Sequence, residues 1–208
     1  MQSRFAQLTD ETIAVKSEPT GDTPLHLAAK LGKISEIPAH LLTIELFMIR
    51  NNHRQKHTPI HVAAKYGQLD KVPRKFLTGK TMTASVKYEW HEQPVEGVKT
   101  ETPLHVAVRY GHADQIPKKF FKPEFLNRAA TYNKETVLHE LAYARRLDLV
   151  PQIYADSLVW DFRNSYGQTP GDIVELDLET KQRPRDGASG KPPAAILPIQ
   201  DGSLTQLP

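Results

Sequence analysis

Histidine is the side chain with the widest chemical range here, and the 208-residue chain has nine. Imidazole ligates metals and moves protons near neutral pH, so the spacing of these residues is the first thing to test. His26, His61, His105 and His139 each stand three residues after a threonine, at Thr23, Thr58, Thr102 and Thr136. A ladder of like residues at wide, regular intervals cannot converge on one metal ion, which needs its ligands around a point. His40, His53, His57, His91 and His112 are scattered, and no His-Glu-x-x-His pair occurs. There is no Gly-x-Ser-x-Gly, no phosphate-binding glycine loop and no dinucleotide signature. With no cysteine, disulfides, thiolate catalysis and cysteine-held zinc are excluded. Catalytic, cofactor-binding and metal-ligating residues are therefore expected to be none.

Those histidines belong to a repeat. Thr23-Pro24-Leu25-His26-Leu27-Ala28-Ala29 returns as Thr58-Pro59-Ile60-His61-Val62-Ala63-Ala64 and as Thr102-Pro103-Leu104-His105-Val106-Ala107-Val108. A looser copy runs Thr136-Val137-Leu138-His139-Glu140-Leu141-Ala142, and a fragment starts at Thr169-Pro170-Gly171-Asp172. The threonines are spaced by 35, 44, 34 and 33 residues. Each threonine is placed to cap a helix whose first residue is proline, where the missing N–H has no acceptor to lose. Gly32, Gly67 and Gly111 stand where that helix must end, and Arg145 replaces them in the fourth copy, where the helix either runs on or ends differently. Ser35, Asp70, Asp114 and Asp148 then read as caps of a second helix, with Pro38, Pro73, Pro117 and Pro151 in its first turn. Ile37, Val72, Ile116 and Val150, followed by Leu41, Phe76, Phe120 and Tyr154, mark its buried side.

The Thr-Pro-Leu-His-x-Ala signature at a period of about 33 resembles the ankyrin repeat. The resemblance covers roughly residues 8–178, and the proline in the second helix is similar to divergent ankyrin-like repeats of bacterial proteins. It implies an all-α solenoid of about four helix-pair units with short β-hairpin loops, the units starting near Thr23, Thr58, Thr102 and Thr136 and a terminal cap near Thr169. It also implies a structural role for the repeated histidine, bonded to the threonine hydroxyl and to neighbouring backbone. The turn before each threonine departs from the family pattern: Gly21 and Gly167 are present, but Lys56, Thr100 and Lys134 replace glycine in the middle units. The segment around Leu8–Val15 is expected to cap one end. Residues 1–178 are read as the array and 179–208, rich in Pro, Gly and Ser, as a disordered tail.

Ankyrin-type binders commonly touch partners through the two helix positions after the alanine pair. Here these are Lys30-Leu31, Lys65-Tyr66, Arg109-Tyr110 and Tyr143. Stacked cations beside tyrosines suit a partner with an acidic surface. The longer interval between Thr58 and Thr102 holds Val86, Tyr88 and Trp90 in alternation with Lys87, Glu89 and His91, which predicts a projecting β-hairpin with Trp90 as a secondary anchor. Lys118-Lys119-Phe120-Phe121-Lys122 has the look of a basic-aromatic patch, but its phenylalanines fall in core columns.

The expected function is protein–protein recognition, as adaptor, inhibitor or scaffold, by a monomer that is not an enzyme. Nucleic-acid or other polyanion binding is the alternative, motivated by a net charge of +3 and a pI of about 9.0. A host-directed bacterial effector is a further one. The most apolar stretch, Leu41–Ile49, is broken by Thr43 and Glu45 and falls short of the roughly 20 residues of a membrane span. With no signal-peptide pattern in residues 1–16, a cytoplasmic location with no membrane partner is expected.

Overall fold

The computed structural model describes residues 4–53, 56–87, 100–128 and 133–182. It is helix-rich. Four similar helices carry the repeat: α1 (Pro24–Leu31), α2 (Pro59–Lys65), α4 (Pro103–Arg109) and α6 (Val137–Tyr143). Two shorter ones, α3 (Gly79–Met82) and α5 (Pro123–Leu126), stand between them, and α7 (Pro170–Gln182) follows. The four repeat helices and α7 pack each against the next in chain order. Ala28, Ala29, Ala63, Ala64 and Ala107 are buried at these junctions, where a Cβ alone lets two helix backbones come close.

Each repeat helix begins as its sequence dictates. Thr23, Thr58, Thr102 and Thr136 are extended N-caps, and proline takes the first helical position in the first three. The ends are also uniform. Gly32, Gly67 and Gly111 have φ of 69°, 65° and 80°, and Arg145 adopts 57° in the same place. The fourth helix thus ends like the others and does not run on. Lys56 and Lys134 likewise hold φ of 46° and 55°, in the left-handed region where Gly21 and Gly167 stand in the flanking turns.

The expected helix pairs are not formed. In place of a second α-helix the first three units have two single 3-10 turns, as at Leu69–Lys71 and Arg74–Phe76, or Ala113–Gln115 and Lys118–Phe120, and the fourth has one at Leu147–Leu149 followed by a longer 3-10 stretch, Gln152–Ser157. The reason is the proline. Its ring excludes the helical conformation from the residue before it, so Ile37, Val72, Ile116 and Val150 are extended with ψ of 134°, 127°, 122° and 118°. The chain restarts only after Pro38, Pro73 and Pro117, themselves at ψ 126–135°. The four prolines accept from the amides of Leu41, Phe76, Phe120 and Tyr154 at 2.9–3.0 Å. Ser35, Asp70, Asp114 and Asp148 consequently lie inside the first turn and cap nothing. A third short element completes each of the first three units: a 3-10 turn at Leu46–Met48, then α3, then α5. Thr78 caps α3 by accepting the Thr81 amide at 3.3 Å.

The core runs along these turns. Ile34, Leu69 and Ala113 are buried in one row, Ile37, Val72 and Ile116 in the next, and Leu41, Phe76 and Phe120 in a third. Phe47 packs on Phe76 with ring centroids 4.6 Å apart. Phe5 and Ile13 are buried in the same core. The inserted segment starts as an antiparallel pair, β1 (Val86–Lys87) with β2 (Thr100–Glu101), in the register Val86↔Glu101 and Lys87↔Thr100. The hairpin expected beyond it, with Trp90, lies outside the described residues, as does most of the expected tail; α7 extends four residues past the expected tail boundary at Leu178.

Candidate partner-binding face

The histidine ladder comes first because it sets the spacing of everything on the helices. Nδ1 of His26, His61, His105 and His139 lies 2.7–2.8 Å from the hydroxyl of the threonine three residues earlier. Three of those threonines also donate their backbone N–H to the same nitrogen, at 3.1–3.4 Å. Nδ1 is therefore an acceptor and Nε2 carries the proton. Nε2 of His26 donates to the His57 carbonyl at 3.1 Å, that of His61 to Glu101 at 3.2 Å, and that of His139 to Gln168 at 3.1 Å. Each acceptor is the residue before the next unit's threonine, so the ring spans one unit junction. His105 turns Nε2 toward the backbone of Glu135 and Arg128 without completing a bond of ordinary geometry. Burial keeps all four rings neutral: His61 is pushed down to about 3 and His105 to about 4. In the final copy Asp172 replaces the histidine, its carboxylate accepting the Thr169 amide at 2.9 Å while its own amide donates to the Thr169 hydroxyl at 3.1 Å.

On the helices so spaced, the positions after the alanine pair form an interleaved stack. Lys30 Nζ lies 5.0 Å from the Tyr66 ring centre, and Lys65 Nζ lies 5.8 Å from Tyr66 and 5.4 Å from Tyr110. Cations held over aromatic faces keep their charge while losing side-chain freedom. Beside them Leu27 and Leu31 are 48% and 51% exposed and Tyr66 39%.

Arg109 and Tyr143, in the same column, are placed otherwise. The Arg109 guanidinium bridges Glu101 of β2 and Glu140 of α6. Both carboxylates are buried, and burial raises Glu140 to about 7 despite the nearby arginine. His57, stacked on His61 with centroids 5.2 Å apart, lies 3.9 Å from the Glu101 carboxylate. The Tyr143 hydroxyl contacts Gln168 and Asn164 at 3.3 Å each, and burial with the Glu135 carboxylate pushes it up to about 12. Of the expected contacts, then, Lys30, Lys65, Tyr66 and Tyr110 come together with Leu31 exposed beside them. Arg109 and Tyr143 are engaged within the chain.

Nothing in the local sequence joins Glu101 to Glu140, which stand far apart in the chain. The signal the sequence does carry is Glu140 itself, a carboxylate in the column that holds Leu27, Val62 and Val106. Phe120 and Phe121 are buried, which leaves Lys118 and Lys119 as surface cations without exposed rings. Among the described residues no cluster of His, Asp or Glu has metal-binding geometry, and no helix is long and apolar enough to cross a membrane. No protein-family model matches the chain, and no curated protein matches it.

Proposed function

We propose that the chain is an ankyrin-type repeat array, a solenoid of about four units with hairpin-like loops, which binds a partner protein and catalyses no reaction. The repeated Thr-Pro-Leu-His signature and the junction-spanning histidine bonds support the array. One observation carries the binding role: Lys30, Tyr66, Lys65 and Tyr110 interleave on one face across three units, with Leu27 and Leu31 exposed beside them. Rigid tyrosines flanked by preorganised cations suit an acidic partner surface that also offers an apolar side chain. The partner would use this array as an adaptor, inhibitor or scaffold.

The test is capture from source-cell lysate on the purified chain beside a Lys30→Glu/Lys65→Glu variant. Arg109 is left intact because its loss would strand two buried carboxylates. A protein retained by the first and lost by the second, with affinity that falls as salt rises, is the expected result. Equal retention by both would remove this face from consideration, and recovery of nucleic acid would favour polyanion binding.

A further inference from the structure

A second charged surface is carried by different elements, the turns that follow the prolines. Each turn presents two residues ahead of its core residue: Ala39-His40, Arg74-Lys75, Lys118-Lys119 and Gln152-Ile153. Arg74, Lys75, Lys118 and Lys119 are all exposed. Acids on the preceding turns hold other cations: Asp70 binds Lys71 at 2.9 Å, and Asp114 takes Arg146 at 2.6 and 2.7 Å. Among the described residues no ion pair neutralises any of the four. Lys75 and Lys119 rest over the Phe76 and Phe120 rings at 4.8 and 5.0 Å, so their stems are held while both rings stay buried.

The row continues to Ile153, which is 82% exposed, the highest value among the described large apolar residues. An unneutralised basic cluster aligned with a bare aliphatic side chain matches the two attractions of a bilayer surface, anionic headgroups and the acyl boundary beneath them. Nucleic acid fits less well. Phe76, Phe120 and Phe121 are buried and offer no ring on which a base could stack, and an isolated isoleucine gains nothing against a phosphate backbone.

We propose that the turns bearing Arg74-Lys75, Lys118-Lys119 and Ile153 adsorb the protein on anionic phospholipid membranes, the cations meeting headgroups and Ile153 entering the acyl boundary. The expectation of no membrane partner rests on spanning length. Adsorption depends instead on exposed residues of successive turns, and it is independent of the partner bound by the Lys30–Tyr110 face.

Co-sedimentation of the full chain with phosphatidylcholine vesicles, with and without phosphatidylserine, tests this at physiological salt. Binding is expected only with phosphatidylserine. Neutralisation by Arg74→Gln, Lys75→Gln, Lys118→Gln and Lys119→Gln should weaken it about fivefold per charge. Ile153→Ser should weaken it further while leaving the salt dependence unchanged. The double variant Arg74→Gln/Lys118→Gln disturbs neither lysine–phenylalanine contact, and its circular dichroism should match the parent, so a loss of binding there is a loss of charge. No sedimentation of the parent chain with phosphatidylserine vesicles, or equal sedimentation of parent and variants, would overturn the proposal. So would retention on a DNA duplex, with log affinity falling at a slope of about −3.6 against log salt, in a chain that ignores vesicles.

Discussion

Lys56, Lys134 and Arg145 hold backbone conformations that glycine adopts at equivalent places, which makes their cost measurable. Lys134→Gly should stabilise the fold by about 0.5–1 kcal/mol, read as a higher urea midpoint at unchanged slope. Gly67→Ala should act in the opposite sense by more than about 1 kcal/mol, since its φ is 65° and the His112 ring occupies the space a Cβ would need. The buried histidines give a second residue-scale prediction. His61 and His105 titrate at about 3 and about 4 when folded, against an ordinary value of 6.5. Between those limits the unfolded chain binds more protons, so their contribution to stability is complete above about pH 6.5 and falls as pH drops toward the folded values. Melting temperatures of the Glu140→Leu variant, which lacks the opposing titration of that carboxylate, should decline from pH 7 downward through this window, and the two ring signals in NMR should not titrate above pH 5. The threonine caps and glycine ends were legible in the sequence because they act within a few residues, while the histidine bonds to threonine were implied by the resemblance to the ankyrin signature. The lysines at positive φ were not legible, since their local preference opposes the conformation that the packed turn imposes.

At the scale of elements, the proline column separates what local rules predict from what forms. A proline three residues after a cap is compatible with a helix start, which is the basis for expecting helix pairs. Its constraint on the preceding residue acts more strongly, and Ile37, Val72, Ile116 and Val150 become extended links between turns. The apolar spacing survives this change because both arrangements bury the same side chains. Such single turns have few internal hydrogen bonds, so their stability comes from what they bury. Phe76→Ala should therefore cost about 3–5 kcal/mol, removing the ring packed on Phe47 and the surface beneath Lys75, as checked by chemical denaturation.

At the scale of the whole molecule, a carboxylate buried between helices opposes the pH response of the histidines. Glu140 has a folded value near 7 against 4.5 for an ordinary glutamate. The folded state thus binds more protons between those values, and this group's contribution falls as pH rises from about 4.5 to 7. Glu140→Leu restores the aliphatic type found at Leu27, Val62 and Val106 and leaves Arg109 with Glu101. The variant's melting temperature relative to the parent should rise steadily from about pH 5 to pH 7.5, and a difference independent of pH would refute this assignment. The repeat, the starts of its threonine-capped helices, their glycine ends and the core columns of the first three units were determined by the sequence itself, because spacing and capping chemistry are local and recur unit after unit. Only the tertiary structure decided that Arg109 is clamped by Glu101 and Glu140, eight and 31 residues away, while Lys30 and Lys65 stay over tyrosine rings. A side chain's partner depends on which units are stacked beside it, and no rule of local sequence contains that distance.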